Sequence, residues 1–257
     1  MIDPIRTTGT GHPVVMVHGL FGVVAIARQL ADAFGAEHPF FAVHARALVG
    51  DPHDSIESMA RDYLAALRSH RPRGPYIVGG MCAGALIALE MARMLRVEGE
   101  AVSTVFMLEP NPVLNLNPPR RQLEPLLEKA TAEQLKQAAR IWFSMNRPGL
   151  DSVPFDVRTP EGLERAADAG VKLVFAYERH RPQPYSGRVD IIASEPFAKL
   201  ITNANLPWRK EILLGDWAMH TVPCTHEELF LKHSSALLNG IRKVMQGLDA
   251  TVAVAGT

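Results

Sequence analysis

Several things are scarce or missing in this chain, and each narrows what it can be. There are two cysteines in 257 residues, too few for a disulfide scaffold. A thiol held in a bridge could not act as a nucleophile, so a reducing compartment is expected. Charge of either sign is not in excess: 27 Lys and Arg face 27 Asp and Glu, leaving no overall field to draw in nucleic acid or an anionic membrane. No apolar run reaches the roughly 18 residues of a membrane span, and the best candidate is broken by His18 and Arg28. The opening Met1-Ile2-Asp3-Pro4-Ile5-Arg6 lacks the basic-then-apolar order of a secretion signal. No Cys/His cluster has metal-ligand spacing, and there is no phosphate-binding loop and no internal repeat. The expectation is a cytoplasmic protein with no metal or bound cofactor and with neither nucleic acid nor membrane as partner.

Hydrophobic residues make up 47% of the chain and charged residues 21%, enough apolar material for a sizeable core. The length suits one large α/β domain or two small ones. Residues 1–12 read as a polar lead-in. Pro13 to Val17 reads as a strand buried on both faces, ending in His18-Gly19-Leu20-Phe21-Gly22. Val23, Ile26, Ala27, Leu30 and Phe34 mark a helix face, with Gly35 as its stop. Phe40 to Ala47 is a second strand. Asp54-Ser55-Ile56-Glu57 reads as a capping box before a helix whose buried face is Ile56, Met59, Ala60, Tyr63, Leu64 and Leu67. A strand from Tyr76, a helix to about Glu98 stopped by Gly99, and a strand over Val102–Leu108 follow. This alternation predicts a mostly parallel sheet.

The rhythm then breaks. Asn111 to Pro119 is a loop by its Asn and Pro content, and residues 120–180 read as helical. Helices are expected around Gln122–Lys129, from Thr131 with Gln134, and from Thr159-Pro160. A helical block inserted between strands is usually a cap over the C-terminal sheet edge, with Trp142, Phe143, Phe175 and Tyr177 as its core. Strands return at Arg188–Ala193 and Trp217–Val222. A last helix runs from Glu227 to Met245 on Leu229, Phe230, Leu237, Ile241 and Val244. The tail from Asp249 is expected to fray.

The stretch that organises this pattern is Tyr76-Ile77-Val78-Gly79-Gly80-Met81-Cys82-Ala83-Gly84. Gly80-Met81-Cys82-Ala83-Gly84 has the form G-x-S-x-G with sulfur in place of oxygen. In that motif a strand turns sharply into a helix, with the central residue strained at the tip. A side chain at either glycine would collide with the neighbouring strand or helix. The helix start beside the sulfur, together with a histidine base, should draw the thiol below its free value of about 8.5. Taken alone, the same five residues also describe a buried cysteine in a Gly-rich turn.

A nucleophile of this kind needs a base, an acid to orient the base, and donors for the oxyanion. In an elbow fold they follow in the order nucleophile, acid, histidine. Glu109 ends the next strand at its carboxyl end, where open α/β sheets place their sites. A solvated Glu at a strand end is the plainer reading. Of ten histidines, His226 lies in the loop between the last strand and last helix. His220 falls inside a strand, where a structural role fits better. His18 is expected to shape the loop after the first strand. For the oxyanion, Ala83 offers the N–H after the nucleophile, and Leu20, with Phe21 next, offers one from the early loop. Cys224 is read as a small packed residue.

With these pieces in place the chain resembles a thioesterase domain of the α/β-hydrolase superfamily, of the kind that ends nonribosomal peptide and polyketide synthases. The matching segments are Val14–Gly19, Tyr76–Gly84, Leu108-Glu109 and Val222-Pro223-Cys224-Thr225-His226. Three departures stand out: Cys82 where Ser is usual, Glu109 where Asp is usual, and Cys224 where Gly is frequent. The resemblance implies a single α/β-hydrolase domain over 1–257, with a helical lid over 111–186. It implies that a carrier protein presents an acyl or peptidyl chain on its phosphopantetheine arm, that Cys82 accepts the chain, and that water or an internal nucleophile releases it. Thioester-to-thioester transfer keeps the acyl group activated, which favours ring-forming release of a β-lactone or β-lactam type. Family members with cysteine are associated with such products. Hydrolytic or editing thioesterases, a dienelactone-type cysteine hydrolase, and a non-catalytic scaffold are the other readings.

Overall fold

The computed structural model describes residues 1–110, 134, 137–141, 159–203, 211–229 and 234–255. Seven strands form one sheet: β1 Ile2–Arg6, β2 Val14–Val17, β3 Phe40–Val43, β4 Tyr76–Met81, β5 Val102–Leu108, β6 Val189–Ser194 and β7 Trp217–Val222. Their order is β1-β3-β2-β4-β5-β6-β7. β1 is antiparallel to β3, and each neighbouring pair from β3 to β7 is parallel. The helices are α1 Ala27–Phe34, α2 Ile56–His70, α3 Gly84–Val97, α4 Pro160–Arg179, α5 Glu195–Asn203, α6 His226–Leu229 and α7 Ser235–Ala255.

The strands are short apolar runs because both faces are covered. Val15, Val17, Phe41, Val43, Val78, Val105 and Met107 point to one face, where they meet α2 and α3. Val14, Met16, Phe40, Ala42, Ile77, Phe106 and Leu108 point to the other, against α1 and α7. The chain leaves β2 for β3 on one side and later adds β4 on the other. The loops after β2 and β4 therefore diverge over one crevice, the switch point where α/β sheets hold their sites. Among the described residues no helix is long and apolar enough to cross a membrane.

Local expectations meet the structure unevenly. The polar lead-in contains β1, an edge strand whose half-buried pattern gave no run of apolar residues. The early helix begins at Ala27: Val23 to Ile26 precede it as irregular chain and a turn, with Val23 and Ala25 buried beside Ala45 and Leu48. The strand from Phe40 stops at Val43, and Arg46–Leu48 form a short 3-10 turn. The α2 box is shifted by one residue: Ser55 caps, and Ser58 closes the reciprocal bond. Gly99 ends α3 with φ +81°. The helix from Thr159-Pro160 is α4, with Thr159 Oγ1 accepting from the Gly162 N–H at 3.0 Å. The helix expected around Gln122–Lys129 lies outside the described residues, as do Trp142, Phe143 and Phe230, and the helix opened at Thr131 does so in large part. Phe175 is not cap core: it is 46% exposed. The single last helix is two, α6 and α7.

Beside the crevice lies a set of histidines kept neutral. His18, 2% exposed, bonds through Nε2 to the Tyr63 hydroxyl at 2.8 Å and through Nδ1 to the Gly19 carbonyl at 2.7 Å. Burial pulls its pKa down to about 3, and burial lowers His44 and His53 as well. Their native pKa values sit below the unfolded one. The stability they contribute is therefore complete above about pH 6.5 and is lost as pH falls through that value, when only the unfolded chain takes up protons. Between about pH 6.5 and 3 the unfolded chain takes up a proton at His18 that the native chain excludes. Thermal unfolding should drop steadily between pH 6.5 and 5; a melting temperature unchanged across that range would refute this account.

Candidate active site

The elbow is built by close approach. A Cβ on Gly80 would lie 2.2 Å from the Gly84 carbonyl oxygen, and one on Gly84 would lie 2.0 Å from the His18 carbonyl oxygen. Only hydrogen fits at either place, so β4, α3 and the loop after β2 meet with no side chain between them. Cys82 sits at the bend with φ +49°, a left-handed conformation uncommon outside glycine. Its N–H donates to the Leu108 carbonyl at 2.8 Å, tying the tip to the end of β5.

Glu109 follows directly. It too has positive φ, +44°, and its own N–H donates to the Ile192 carbonyl at 2.9 Å. Its side chain is fully buried. One carboxylate oxygen accepts from the Ser194 N–H, and the other lies 3.2 Å from His226 Nδ1. Since the carboxylate only accepts, Nδ1 carries the hydrogen. His226 opens α6 and is 47% exposed along its side chain. The plainer reading of a solvated Glu is thereby excluded. His220 is taken up elsewhere: its Nε2 is 2.9 Å from Asp190, a buried carboxylate also held by Arg188 and Thr104. Cys224 packs half-buried against the apolar cluster under α7.

The oxyanion candidates flank the elbow. The Ala83 N–H bonds the Cys82 sulfur. Leu20 lies in the Gly19–Gly22 turn, closed by the Gly22 N–H on the Gly19 carbonyl at 3.1 Å. A Cβ on Gly19 would stand 3.7 Å from the Met81 carbonyl oxygen, which puts this turn beside the residue before Cys82.

The thiol departs from expectation. Cys82 keeps some surface access, yet protein atoms surround its sulfur almost completely. Burial pushes the thiol up to about 11, and the Glu109 charge adds to it, while the Ala83 N–H pulls the other way. The helix start does not win, because removing water from around a thiolate outweighs one amide bond. The sulfur thus rests as a protonated thiol.

Two contributors had no signal in the sequence. Ser194 acts through its backbone N–H, which any residue would supply. Tyr177, on α4, shares an apolar cluster with Ala83 and Leu86, and its periodicity marked it only as core.

Residues 12–151, more than half of the chain, match the thioesterase domain family. The chain belongs to that family. Curated relatives include Polyketide synthase PksR of Bacillus subtilis, 38% identical over 108 residues that cover 41% of this chain and 4% of that protein. Indigoidine synthase of Dickeya dadantii is 35% identical over 108 residues, 41% of this chain and 7% of that protein. The thioesterase thus matches only a small part of each relative's length. Among solved structures, the NocB thioesterase domain in covalent complex with a fluorophosphonate nocardicin G analog aligns at TM-score 0.70 and 22% identity, covering 94% of this chain and 98% of that one. The type II thioesterase BorB from the borrelidin biosynthetic cluster aligns at TM-score 0.69 and 19% identity, covering 95% and 97%. At these identities the likeness shows a shared fold, an α/β-hydrolase sheet with flanking helices.

Two outcomes test the site. Gly80→Ala and Gly84→Ala should each cost several kcal/mol or abolish soluble expression, while Gly50→Ala, which meets nothing within 4 Å, leaves the melting temperature in place. Equal tolerance of all three would show that the elbow is not close-packed. In a Cys224→Ala background, alkylation of Cys82 by iodoacetamide should be slow at pH 7 and climb without plateau to pH 10. Glu109→Gln, by removing a negative charge, should shift that curve to lower pH. A plateau below pH 8 in the parent would show a thiolate at rest.

Proposed function

We propose that this thioesterase accepts an acyl or peptidyl chain from a carrier protein's phosphopantetheine thioester onto Cys82 and releases it, with His226 as base and Glu109 as its orienting acid. The observation that carries the reading is the placement of Cys82 at a strained tip, tied through Leu108 to the strand end from which Glu109 grips the His226 ring. Glu109 fixes Nδ1 as the protonated ring atom, which leaves the acceptor role to Nε2. When the substrate carbonyl arrives, Nε2 takes the thiol proton and the sulfur attacks. The carbonyl oxygen becomes an oxyanion between the N–H groups of Ala83 and Leu20. Collapse expels the pantetheine thiolate, which takes up the proton from His226. A second nucleophile then repeats the cycle, giving its proton to His226 and returning sulfur as the leaving group.

The raised thiol pKa suits this order of events. Ionisation is deferred until the acyl group is present, so a naked thiolate does not sit open to oxidants and stray electrophiles. Helix α4, between β5 and β6, is read as part of the lid expected over 111–186. Because the exchange is thioester for thioester, the acyl-enzyme keeps its activation, and an internal nucleophile can close a strained ring. Release as a β-lactone or β-lactam is the favoured outcome. Half-exposure of His226 supports a second reading, hydrolytic or editing release, since water can reach the base.

Intact mass after incubation with an acyl N-acetylcysteamine thioester tests both levels. The wild-type chain should gain the acyl mass, and Cys82→Ala should not. An adduct of equal yield on the alanine variant would remove Cys82 from the mechanism. Of the released products, a ring supports cyclisation, and linear acid alone would leave only the hydrolytic route.

A further inference from the structure

Helix α4 carries one polar atom toward the elbow that the chemistry above does not use. Tyr177 lies near the end of α4 and is 8% exposed. Its hydroxyl is buried with no hydrogen-bond partner among the described residues. The ring packs with Leu173 and Ala176 of its own helix and belongs to the same apolar cluster as Ala83 and Leu86 at the start of α3. Its hydroxyl is within electrostatic reach of the Cys82 sulfur; burial first, then that sulfur, holds the phenol well above its ordinary range, so it is a neutral donor at any working pH. A buried hydroxyl without a partner costs about 1–3 kcal/mol, and buried polar groups are nearly always paired. The Tyr185 hydroxyl is also unpaired, but it stands over Gly187 with the Arg96 guanidinium on its ring. The Tyr177 hydroxyl has no such neighbour among the described residues, and the Cys82 sulfur is within its electrostatic reach.

We infer that Tyr177 is a specificity-determining residue: its hydroxyl donates a hydrogen bond to an oxygen of the acyl chain held on Cys82. The preferred chain then bears a hydroxyl, carbonyl or amide oxygen close to the thioester carbonyl, and an unadorned alkyl chain is disfavoured. The inference rests on the reading of Cys82 as acyl acceptor. Its physical basis is asymmetric selection. A site with a buried donor discriminates strongly against an analogue that cannot accept, because binding such a chain seals the hydroxyl in place unpaired.

The test uses the full chain and two N-acetylcysteamine thioesters of equal length, butyryl and 3-hydroxybutyryl, with acylation followed by intact mass. The wild-type chain should be acylated at least about tenfold faster by the 3-hydroxy thioester, a ratio equivalent to one charge-neutral hydrogen bond. Tyr177→Phe should slow that thioester by about the same factor and leave butyryl transfer unchanged or faster. A wild type that does not distinguish the two thioesters, a preference that survives in Tyr177→Phe, or equal slowing of both substrates overturns the inference. Removing an unpaired hydroxyl should leave the melting temperature unchanged or raised. A clear fall would reveal a partner within the protein and overturn it too. Cys82→Ala separates the two levels: an adduct persisting there defeats the nucleophile assignment, whereas loss of the adduct with no substrate preference defeats only the role of Tyr177.

Discussion

A carbonyl oxygen belonging to His18 occupies the space a Cβ at position 84 would need, and the Gly84 carbonyl does the same to position 80. The rest of the site depends on this backbone-to-backbone packing. It brings three segments from distant parts of the sequence to one point: the end of β2, the end of β4 and the first turn of α3. At that point there is no room for a relaxed chain, and the strain falls on Cys82. A non-glycine residue in a sparsely populated region costs about 1–3 kcal/mol and persists only where its surroundings over-determine it. Here the Cys82 N–H is held by Leu108 and the Glu109 N–H by Ile192. The second strained residue, Glu109, is therefore fixed by the strand ends on either side of it. The two left-handed residues are coupled through β5: the strand whose last residue receives the Cys82 amide is the strand whose next residue supplies the carboxylate.

What could be read from the sequence was whatever is enforced by exclusion or by period. Glycines at 80 and 84 have one physical excuse, and the collisions they avoid are the ones expected. Buried strands show as apolar runs, so β2, β5 and β6 were found at or near their limits. The order nucleophile, acid, histidine put Glu109 and His226 together, although 117 positions separate them in the chain. Features set by small margins were missed. Asp54 and Ser55 are both good caps, so the box at α2 was displaced by one residue. β1 is an edge strand with Pro4 in its middle and no buried face, so it read as a lead-in. Ser194 contributes through its backbone, which a sequence does not advertise.

The thiol illustrates a different limit. Motif and helix start argue for a lowered pKa, and both are local. Burial is not local: it depends on the surrounding core, and the Glu109 charge that adds to it is brought to the sulfur by tertiary structure alone. Dehydration of an anion is a larger effect than one amide donor, so the sign of the shift reversed. The consequence is mechanistic. In the proposed mechanism a thiol that rests protonated needs a base whose geometry is already set, and the Glu109 carboxylate 3.2 Å from His226 Nδ1 is placed to set it.

Helix α4 then connects access to chemistry. Its Ala166, Ala167 and Ala169 pack against Phe21, Val23 and Leu48, and a Cβ at Gly170 would stand 3.3 Å from the Leu20 carbonyl oxygen. About two turns later the same helix places Tyr177 in the cluster that holds Ala83. One helix therefore touches the turn that holds Leu20 and shares a cluster with Ala83, the two residues proposed as oxyanion donors. A shift of α4 sufficient to admit a bulky chain would act on both at once. Small residues at 166, 167, 169 and 170 let the helix lie close to the turn, so little movement is available before contacts with Phe21 and Leu20 are lost. In the proposed mechanism, substrate entry past α4 and the alignment of the Ala83 and Leu20 donors are therefore coupled. A chain that fits beneath α4 without displacing it is one that leaves the donors where the reaction needs them.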